Sequence, residues 1–181
     1  MMMTLFPALP VSRILVSLMI VLTVTACTSV PSGITPVQDF DKTRYLGTWY
    51  EIARLDHPFE RGLEQISATY TLRNDGGVDV LNQGVEVATG TVSTANGKAY
   101  FVADESVGHL KVSFFGPFYA SYVIAQLDDN YQYALVTGPD TDYLWILSRE
   151  KTLAPEIMNK LLAFAEQKGF DTQSMIYVKH N

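Results

Sequence analysis

The chain has 181 residues, with 13 basic and 19 acidic side chains, so its net charge at neutral pH is −6. That charge argues against nucleic acid or an anionic membrane face as a partner. The length suits one well-buried domain and not two.

Residues 1–26 are predicted to be a lipoprotein signal peptide, which is excluded from fold reasoning. Arg13 precedes a mostly apolar run over residues 14–26, which is short for a bilayer span and typical of a signal-peptide core. The run ends in Val24-Thr25-Ala26-Cys27, which resembles a bacterial lipobox. Cys27 would then become the first mature residue and carry acyl chains that anchor the protein to a membrane. Thr28 follows instead of Asp, which favours the outer membrane of a Gram-negative cell, with the domain facing the periplasm.

The predicted mature chain keeps 12 basic and 19 acidic side chains, a net charge of 12 − 19 = −7. Because Cys27 is the single cysteine, no disulfide can form and the core must hold the fold alone. Residues 28–38 contain two Pro, one Gly and several Ser or Thr without apolar periodicity. We therefore expect residues 27–44 to be the acylated cysteine with a flexible linker, and residues 45–181 to form the barrel domain.

Short strand-like segments separated by turn residues begin near Tyr45, a pattern expected of a sandwich or barrel. The residues of 65–73 alternate between apolar and polar, and the run 74–77 (Asn-Asp-Gly-Gly) is typical of a hairpin turn. Residues 84–97 give a weaker signal and are assigned as a bulged continuation of the third strand. The eight predicted strands cover residues 47–55, 65–73, 78–83, 98–103, 109–115, 119–127, 131–138 and 142–149.

The period then changes to that of a helix. Pro155 suits a first helical turn, and Gly169 suits a left-handed cap that ends the helix. Apolar residues between them recur at i, i+3 and i+4. Met175 to Val178 alternate again and predict a ninth, short strand.

The residues at the two ends of this strand array resemble the lipocalin signature. Gly47-Thr48-Trp49-Tyr50 opens the first strand, and Arg149 closes the eighth. The resemblance implies an all-β fold: an eight-stranded antiparallel up-and-down barrel with a C-terminal α-helix and a short ninth strand. It also implies that Arg149 stacks on Trp49 at the closed base, a cation–π contact that would be structural and separate from the ligand.

The family's second motif is displaced in this sequence. Thr141-Asp142-Tyr143 spells it, but this tripeptide precedes the last strand, whereas the motif belongs between the sixth and seventh strands. The position-matched residues 127–130 (Leu-Asp-Asp-Asn) keep only the acid. Together with the lipobox, the missing disulfide and the runs 114–119 and 138–149, this resembles the bacterial outer-membrane branch of the lipocalins.

Motifs for catalysis are absent from the sequence. It contains no Gly-x-Ser-x-Gly, no phosphate-binding glycine loop and no Cys–His or His–Glu metal spacing. The three histidines are far apart, and Glu60 and Glu64, which flank Arg61, are expected to lie in a solvated loop. We therefore predict no enzyme, no cofactor and no metal site.

An eight-stranded barrel can hold one small ligand. The chain direction places residues 55–64, 84–91, 115–118 and 138–142 at the mouth, where Arg54 and Arg61 are the basic residues available to a polar head. The predicted ligand-binding residues are Ala68, Tyr70, Val112, Phe114, Tyr122, Phe118 and Arg61.

The leading hypothesis, which rests on the resemblance, is an anchored protein that binds or transports a lysophospholipid or fatty acid for envelope maintenance or stress response. The alternatives are a structural lipoprotein with a filled barrel and a lipocalin-type enzyme. An integral outer-membrane barrel would need apolar outward residues, but Ser67, Thr69 and Thr71 occupy that face of the second strand. A homodimer remains open.

Overall fold

The structure is a computed structural model that describes residues 28–181; the predicted signal peptide and Cys27 lie outside the described residues. Within 28–181, one nine-stranded sheet is accompanied by helices α1 (Lys42–Tyr45) and α2 (Pro155–Gln167) and a 3₁₀ turn at Thr172–Ser174. The strands are β1 (Gly47–Arg54), β2 (Leu63–Leu72), β3 (Val78–Glu86), β4 (Val92–Phe101), β5 (His109–Phe115), β6 (Phe118–Leu127), β7 (Tyr133–Thr137), β8 (Leu144–Ser148) and β9 (Ile176–Tyr177).

The sheet closes because β1 pairs on both of its edges. Each strand from β2 to β7 pairs antiparallel with the next one along the chain, and β8 pairs with β1. The first half of β1 also pairs with β2, with Gly47 opposite Tyr70. Where β2 leaves this edge, β9 takes its place, with Ala53 opposite Tyr177. The eight-stranded up-and-down barrel, the helix and the ninth strand are therefore confirmed.

The apolar side chains of the domain form two cores. One lies between α2 and the outer face of the barrel, where Leu161 and Ala165 pack with Val123 and Leu135. The other fills the lower interior of the barrel around Trp49. Gly169 follows α2 with a φ of +87°, so it is the left-handed residue that the sequence predicted.

Residues 84–97, which gave only a weak strand signal, were predicted to be a bulged continuation of the third strand. In the structure they belong to two strands and the turn between them. β3 runs to Glu86 and β4 begins at Val92, six residues before the predicted start at residue 98. The two strands pair without interruption from Val78–Ala99 to Val85–Val92. Cross-strand pairing therefore overrides the poor strand propensity of the glycine and asparagine residues in this hairpin.

The segment expected to be a flexible linker is packed on the barrel instead, so that prediction was wrong for residues 30–44. Ile34 and Phe40 are buried. The Val37 amide donates to the carbonyl oxygen of Ile124 at 2.9 Å, and the Gly108 amide donates to the Val37 carbonyl at 2.9 Å. Isolated apolar residues without a period gave no sequence signal, yet they bury against strands whose backbone groups were available for pairing. No helix within residues 28–181 combines the length and apolarity needed to cross a bilayer.

Candidate ligand-binding cavity

The two ends of the barrel follow from the chain direction. β1 begins at the closed end, where α1 and the loops after β2, β4 and β6 also lie. The loops 55–62, 87–91, 116–117 and 138–143 therefore surround the open end, which we call the mouth. This is the arrangement that the sequence predicted.

Arg149 holds the closed end together. Its guanidinium carbon lies 3.9 Å from the centroid of the Trp49 ring, and Trp49 is fully buried. Its Nη1 donates to the carbonyl oxygen of Thr48 at 2.8 Å, and its Nη2 donates to those of Arg44 and Leu46 at 2.8 and 2.9 Å. Gly47 has a φ of +92°, and a Cβ there would lie 3.5 Å from Arg149 Nη1. The predicted stack is present, and neither Trp49 nor Arg149 lines the cavity.

Three tyrosines form the floor of the cavity. The Tyr122 hydroxyl lies 2.7 Å from the Tyr45 hydroxyl and 2.9 Å from the Tyr70 hydroxyl. Burial raises the pKa of Tyr70 to about 12, and burial likewise raises the pKa of Tyr45 and Tyr122 well above the usual range. The floor is therefore neutral and its hydroxyls bond to one another, which leaves an apolar surface above it.

The barrel encloses a cavity of about 610 Å³, a size within the range of about 300–1,000 Å³ for small-molecule sites. Six of the seven residues predicted from the sequence line it: Ala68, Tyr70, Val112, Phe114, Tyr122 and Phe118. Phe118 stands at the rim and is largely exposed. Most of the remaining lining is apolar, so the space suits an elongated apolar guest.

The two basic residues expected at the mouth occupy different places. Arg61 is at the mouth but does not line the cavity; its Nη2 lies 2.7 Å from a carboxylate oxygen of Asp56, and the pair is exposed to solvent. Arg54 is only 2% exposed, so its predicted availability to a polar head was wrong. A β-bulge between Glu51 and Ala53 turns Arg54 inward.

Arg54 belongs to a buried charged cluster that sequence reasoning missed. Its Nη1 donates to Glu51 Oε1 at 3.1 Å, its Nη2 donates to the carbonyl oxygen of Glu60 at 2.9 Å, and its Nε lies 3.7 Å from Glu60 Oε2. The indole of Trp145 donates to Glu60 Oε2 at 3.2 Å. Glu60, expected in a solvated loop, is therefore buried. Glu51 and Glu60 both line the cavity.

The burial of this cluster opposes the ionisation of its two carboxyl groups. Burial, and then the nearby Glu60 carboxylate, raise the pKa of Glu51 well above its usual range, against the opposing effect of Arg54. Burial also raises the pKa of Glu60, against the hydrogen bond from Trp145. The guanidinium of Arg54 offsets negative charge on the two carboxyl groups, and the cluster adds one polar patch to an otherwise apolar wall.

The histidines do not form a site. His57 is buried and stacks on Phe59 and Tyr143, His109 bonds to Ser121, and His180 bonds to the Glu51 backbone. Residues 28–181 contain no group of three or more His, Cys, Asp or Glu side chains placed to hold a metal ion.

A closed eight-stranded barrel with a flanking helix, a stacked Trp–Arg pair at its base and an open apolar interior defines the class of small-ligand-binding barrels. Residues 40–180 match the lipocalin-like domain family. The chain belongs to the lipocalin family.

Curated relatives show to which branch of the lipocalin family the chain is similar. The chain is 53% identical over 154 residues to the outer membrane lipoprotein Blc of Vibrio cholerae, which covers 84% of this chain and 90% of that protein. It is 53% identical over 158 residues to the outer membrane lipoprotein Blc of Escherichia coli K12, and this match covers 86% of this chain and 89% of that protein. These relatives confirm the predicted bacterial branch and the outer-membrane location.

A solved structure shows the fold independently. Insecticyanin of the tobacco hornworm Manduca sexta superposes with a TM-score of 0.68 at 21% identity, over 84% of this chain and 87% of that one. At that identity the likeness concerns the fold alone. Family and fold together support a lipid-binding lipocalin.

Proposed function

We propose that this protein binds one lysophospholipid or fatty acid in its barrel and carries it at the outer membrane, for maintenance of the envelope or response to its stress. The observation that carries the proposal is the 610 Å³ cavity, lined mostly by apolar side chains and open at one end. An acyl chain would lie above the tyrosine floor, against Ala68, Val112 and Phe114. Transfer of such a chain from water is favourable by about 0.8 kcal/mol for each buried CH₂ group.

The charges around the cavity favour a zwitterionic head. Asp56, Asp140 and Asp142 are exposed at the mouth, and they would repel the bare carboxylate of a fatty acid. Arg61 lies among them and could receive a phosphate, whereas an ammonium group would find carboxylates nearby. A lysophospholipid therefore suits the rim better than a free fatty acid.

The proposal makes the protein a binder and not an enzyme. The most polar group inside the barrel is the cluster of Glu51, Arg54 and Glu60. Its charged groups interact with one another. A barrel filled by its own side chains, the structural alternative, would leave no room for a guest.

The test is binding of a fluorescent acyl probe to two matched tryptophan variants on β2. Ala68→Trp adds bulk inside the cavity and should abolish or strongly weaken binding. Thr71→Trp adds the same bulk at an exposed position of the same strand and should leave affinity at the wild-type value. Both variants should keep the wild-type circular dichroism. Equal affinity of the two folded variants would place the lipid outside the barrel.

We further propose that Cys27 carries acyl chains that hold the protein on the membrane. Cys27→Ser should accumulate as an unlipidated precursor. Incorporation of radiolabelled palmitate into the variant, with normal membrane fractionation, would contradict this assignment.

A further inference from the structure

Two acidic side chains line the ligand cavity. Glu51 lies in the second half of β1, and Glu60 lies in the loop after that strand. In the described part of the chain, the one base that lines the cavity is Lys42, which belongs to α1 at the closed end and binds Glu105 at 2.5 Å. Arg54, the base of the buried cluster, does not line the cavity. A guest therefore meets the acids of the cluster and not its guanidinium.

The hydrogen bonds of this cluster are incomplete within the protein. Each carboxyl group receives one nitrogen donor: Arg54 Nη1 donates to Glu51 Oε1, and Trp145 Nε1 donates to Glu60 Oε2. No nitrogen donor of residues 28–181 bonds to the second oxygen of either group. Arg54 Nε is buried without an acceptor, because Glu60 Oε2 lies 3.7 Å away, which is too far for a hydrogen bond.

The shortage of positive charge beside these acids is costly in an apolar cavity. If both carboxyl groups are ionised, the single guanidinium leaves one negative charge uncompensated. Burial raises the pKa of Glu51 and of Glu60 despite the opposing effect of Arg54. A cation held in the cavity beside the two acids would supply the missing charge, and the apolar surroundings would strengthen the attraction.

We propose that Glu51 and Glu60 bind the primary ammonium group of a lipid head, which makes a lysophospholipid with an amine head group the preferred guest. The inference rests on the proposed function and names the head group that the same cavity selects. An ammonium has three N–H donors and no acceptor, so it can bond to the carboxyl oxygens that receive no nitrogen donor. Such charge-assisted bonds are stronger than neutral ones. By holding Glu60 ionised, the ammonium also strengthens the acceptor nearest to Arg54 Nε.

The position of the two acids matches the expected direction of the lipid. Ala68, against which the acyl chain would lie, is paired with Trp49 across the β1–β2 ladder. Glu51 is two residues closer to the mouth than Trp49 on β1. An acyl chain on the tyrosine floor therefore brings its head group to the level of the acids. The phosphate, which a short carbon link joins to the amine, can then face Arg61, the neighbour of Glu60 in the mouth loop.

Other classes of guest fit the pair less well. A bare phosphate or carboxylate would meet two acids, because Nη1 and Nη2 of Arg54 already bond to Glu51 and to the Glu60 backbone. A metal ion would find only two carboxyl groups, and residues 28–181 hold no group of three or more His, Cys, Asp or Glu suited to a metal. A quaternary ammonium keeps the charge but has no N–H to donate. A primary amine satisfies both the charge and the hydrogen bonds.

The first test compares head groups on the delipidated, refolded wild-type protein. Four lipids with the same acyl chain displace a fluorescent acyl probe: lysophosphatidylethanolamine, its N-acetyl derivative, lysophosphatidylcholine and lysophosphatidylglycerol. Lysophosphatidylethanolamine should bind about 10- to 100-fold more tightly than the N-acetyl and glycerol lipids, which lack the cation. Lysophosphatidylcholine, which keeps the charge without an N–H, should be intermediate.

The second test assigns the preference to the two acids. Glu60→Gln should bring the affinity for lysophosphatidylethanolamine close to that for its N-acetyl derivative. Glu86→Gln removes the same charge from an exposed residue at the mouth end that does not line the cavity, and it should keep the wild-type preference. Circular dichroism checks the fold of each variant. Glu51→Gln should show the same loss as Glu60→Gln and tests the proposal independently if Glu60→Gln does not fold.

Three results would overturn the proposal. Equal wild-type affinity for lysophosphatidylethanolamine and its N-acetyl derivative would mean that the ammonium is not recognised. An undiminished preference in the folded Glu51→Gln or Glu60→Gln variant would place the amine elsewhere. An equal loss in Glu86→Gln would assign the preference to the general charge of the mouth. Each of these leaves lipid binding intact, whereas failure of all four lipids to displace the probe would contradict the proposed function itself.

Discussion

Replacing Arg149 by Ala should destabilise the barrel without changing its affinity for lipid. The change removes a guanidinium 3.9 Å from the centre of a fully buried indole, a contact worth about 1–2 kcal/mol in such a setting. It also removes donors from the carbonyl oxygens of Thr48, Arg44 and Leu46. Because these contacts are partly exposed, water replaces some of them, and we assign them together about 1–2 kcal/mol.

The expected loss in the free energy of unfolding is therefore about 3 kcal/mol, which for a domain of this size lowers Tm by about 6–12 °C. Thermal unfolding followed by circular dichroism measures it. Arg149→Lys keeps a positive charge near the ring but loses the planar fork, so it should show an intermediate loss. Acyl-probe affinity of the folded fraction should not change in either variant. A collapse of affinity in Arg149→Ala at an unchanged Tm would refute the structural role.

Three further predictions concern the interior. Tyr122→Phe removes the hydroxyl shared by the two other floor tyrosines and should cost about 2 kcal/mol in urea unfolding, because both partners lose a buried hydrogen bond. Glu51 has a raised pKa in the folded state, so the native protein should lose stability as pH rises above the ordinary glutamate range; Glu51→Gln should flatten that loss in melts from pH 5 to 9. A Cβ on Gly97 would lie 2.8 Å from the Phe114 ring, so Gly97→Ala should lower Tm, whereas Gly116→Ala, with nothing within 4 Å, should not.

Regular alternation accounts for much of what the sequence could predict. Val112 and Phe114 alternate with polar neighbours on β5, and both line the cavity. The pair of Trp49 and Arg149 could be identified because its motif is specific, although the two residues are a hundred positions apart. The alternation is readable in the sequence because one face of each strand is buried and the other is not.

The buried cluster could not be predicted in the same way, because a β-bulge breaks the alternation. Counted strictly from Trp49, Glu51 points inward and Arg54 outward. The bulge between Glu51 and Ala53 turns Arg54 inward as well, where it bonds to Glu51 and Glu60. The close spacing of an acid and a base on a strand otherwise rich in apolar residues was the available signal. Bulges depend on tertiary pairing, which a single sequence does not display.

The packed amino-terminal segment shows a second limit of prediction from the sequence. Ile34 and Phe40 are isolated apolar residues among Pro, Gly and Ser, so they have no period to indicate burial. The structure places them against the barrel because their backbone neighbours bond to β6 and to the loop before β5. Composition alone could not reveal this tertiary contact.

The central claim, that the barrel holds one lipid, is tested most directly by native mass spectrometry of the delipidated, refolded protein after exposure to an extract of envelope lipids. The account predicts a complex with one lysophospholipid per chain in the wild type and in Thr71→Trp, and its loss in Ala68→Trp. A wild-type protein that takes up no lipid would instead indicate a filled barrel and contradict the account.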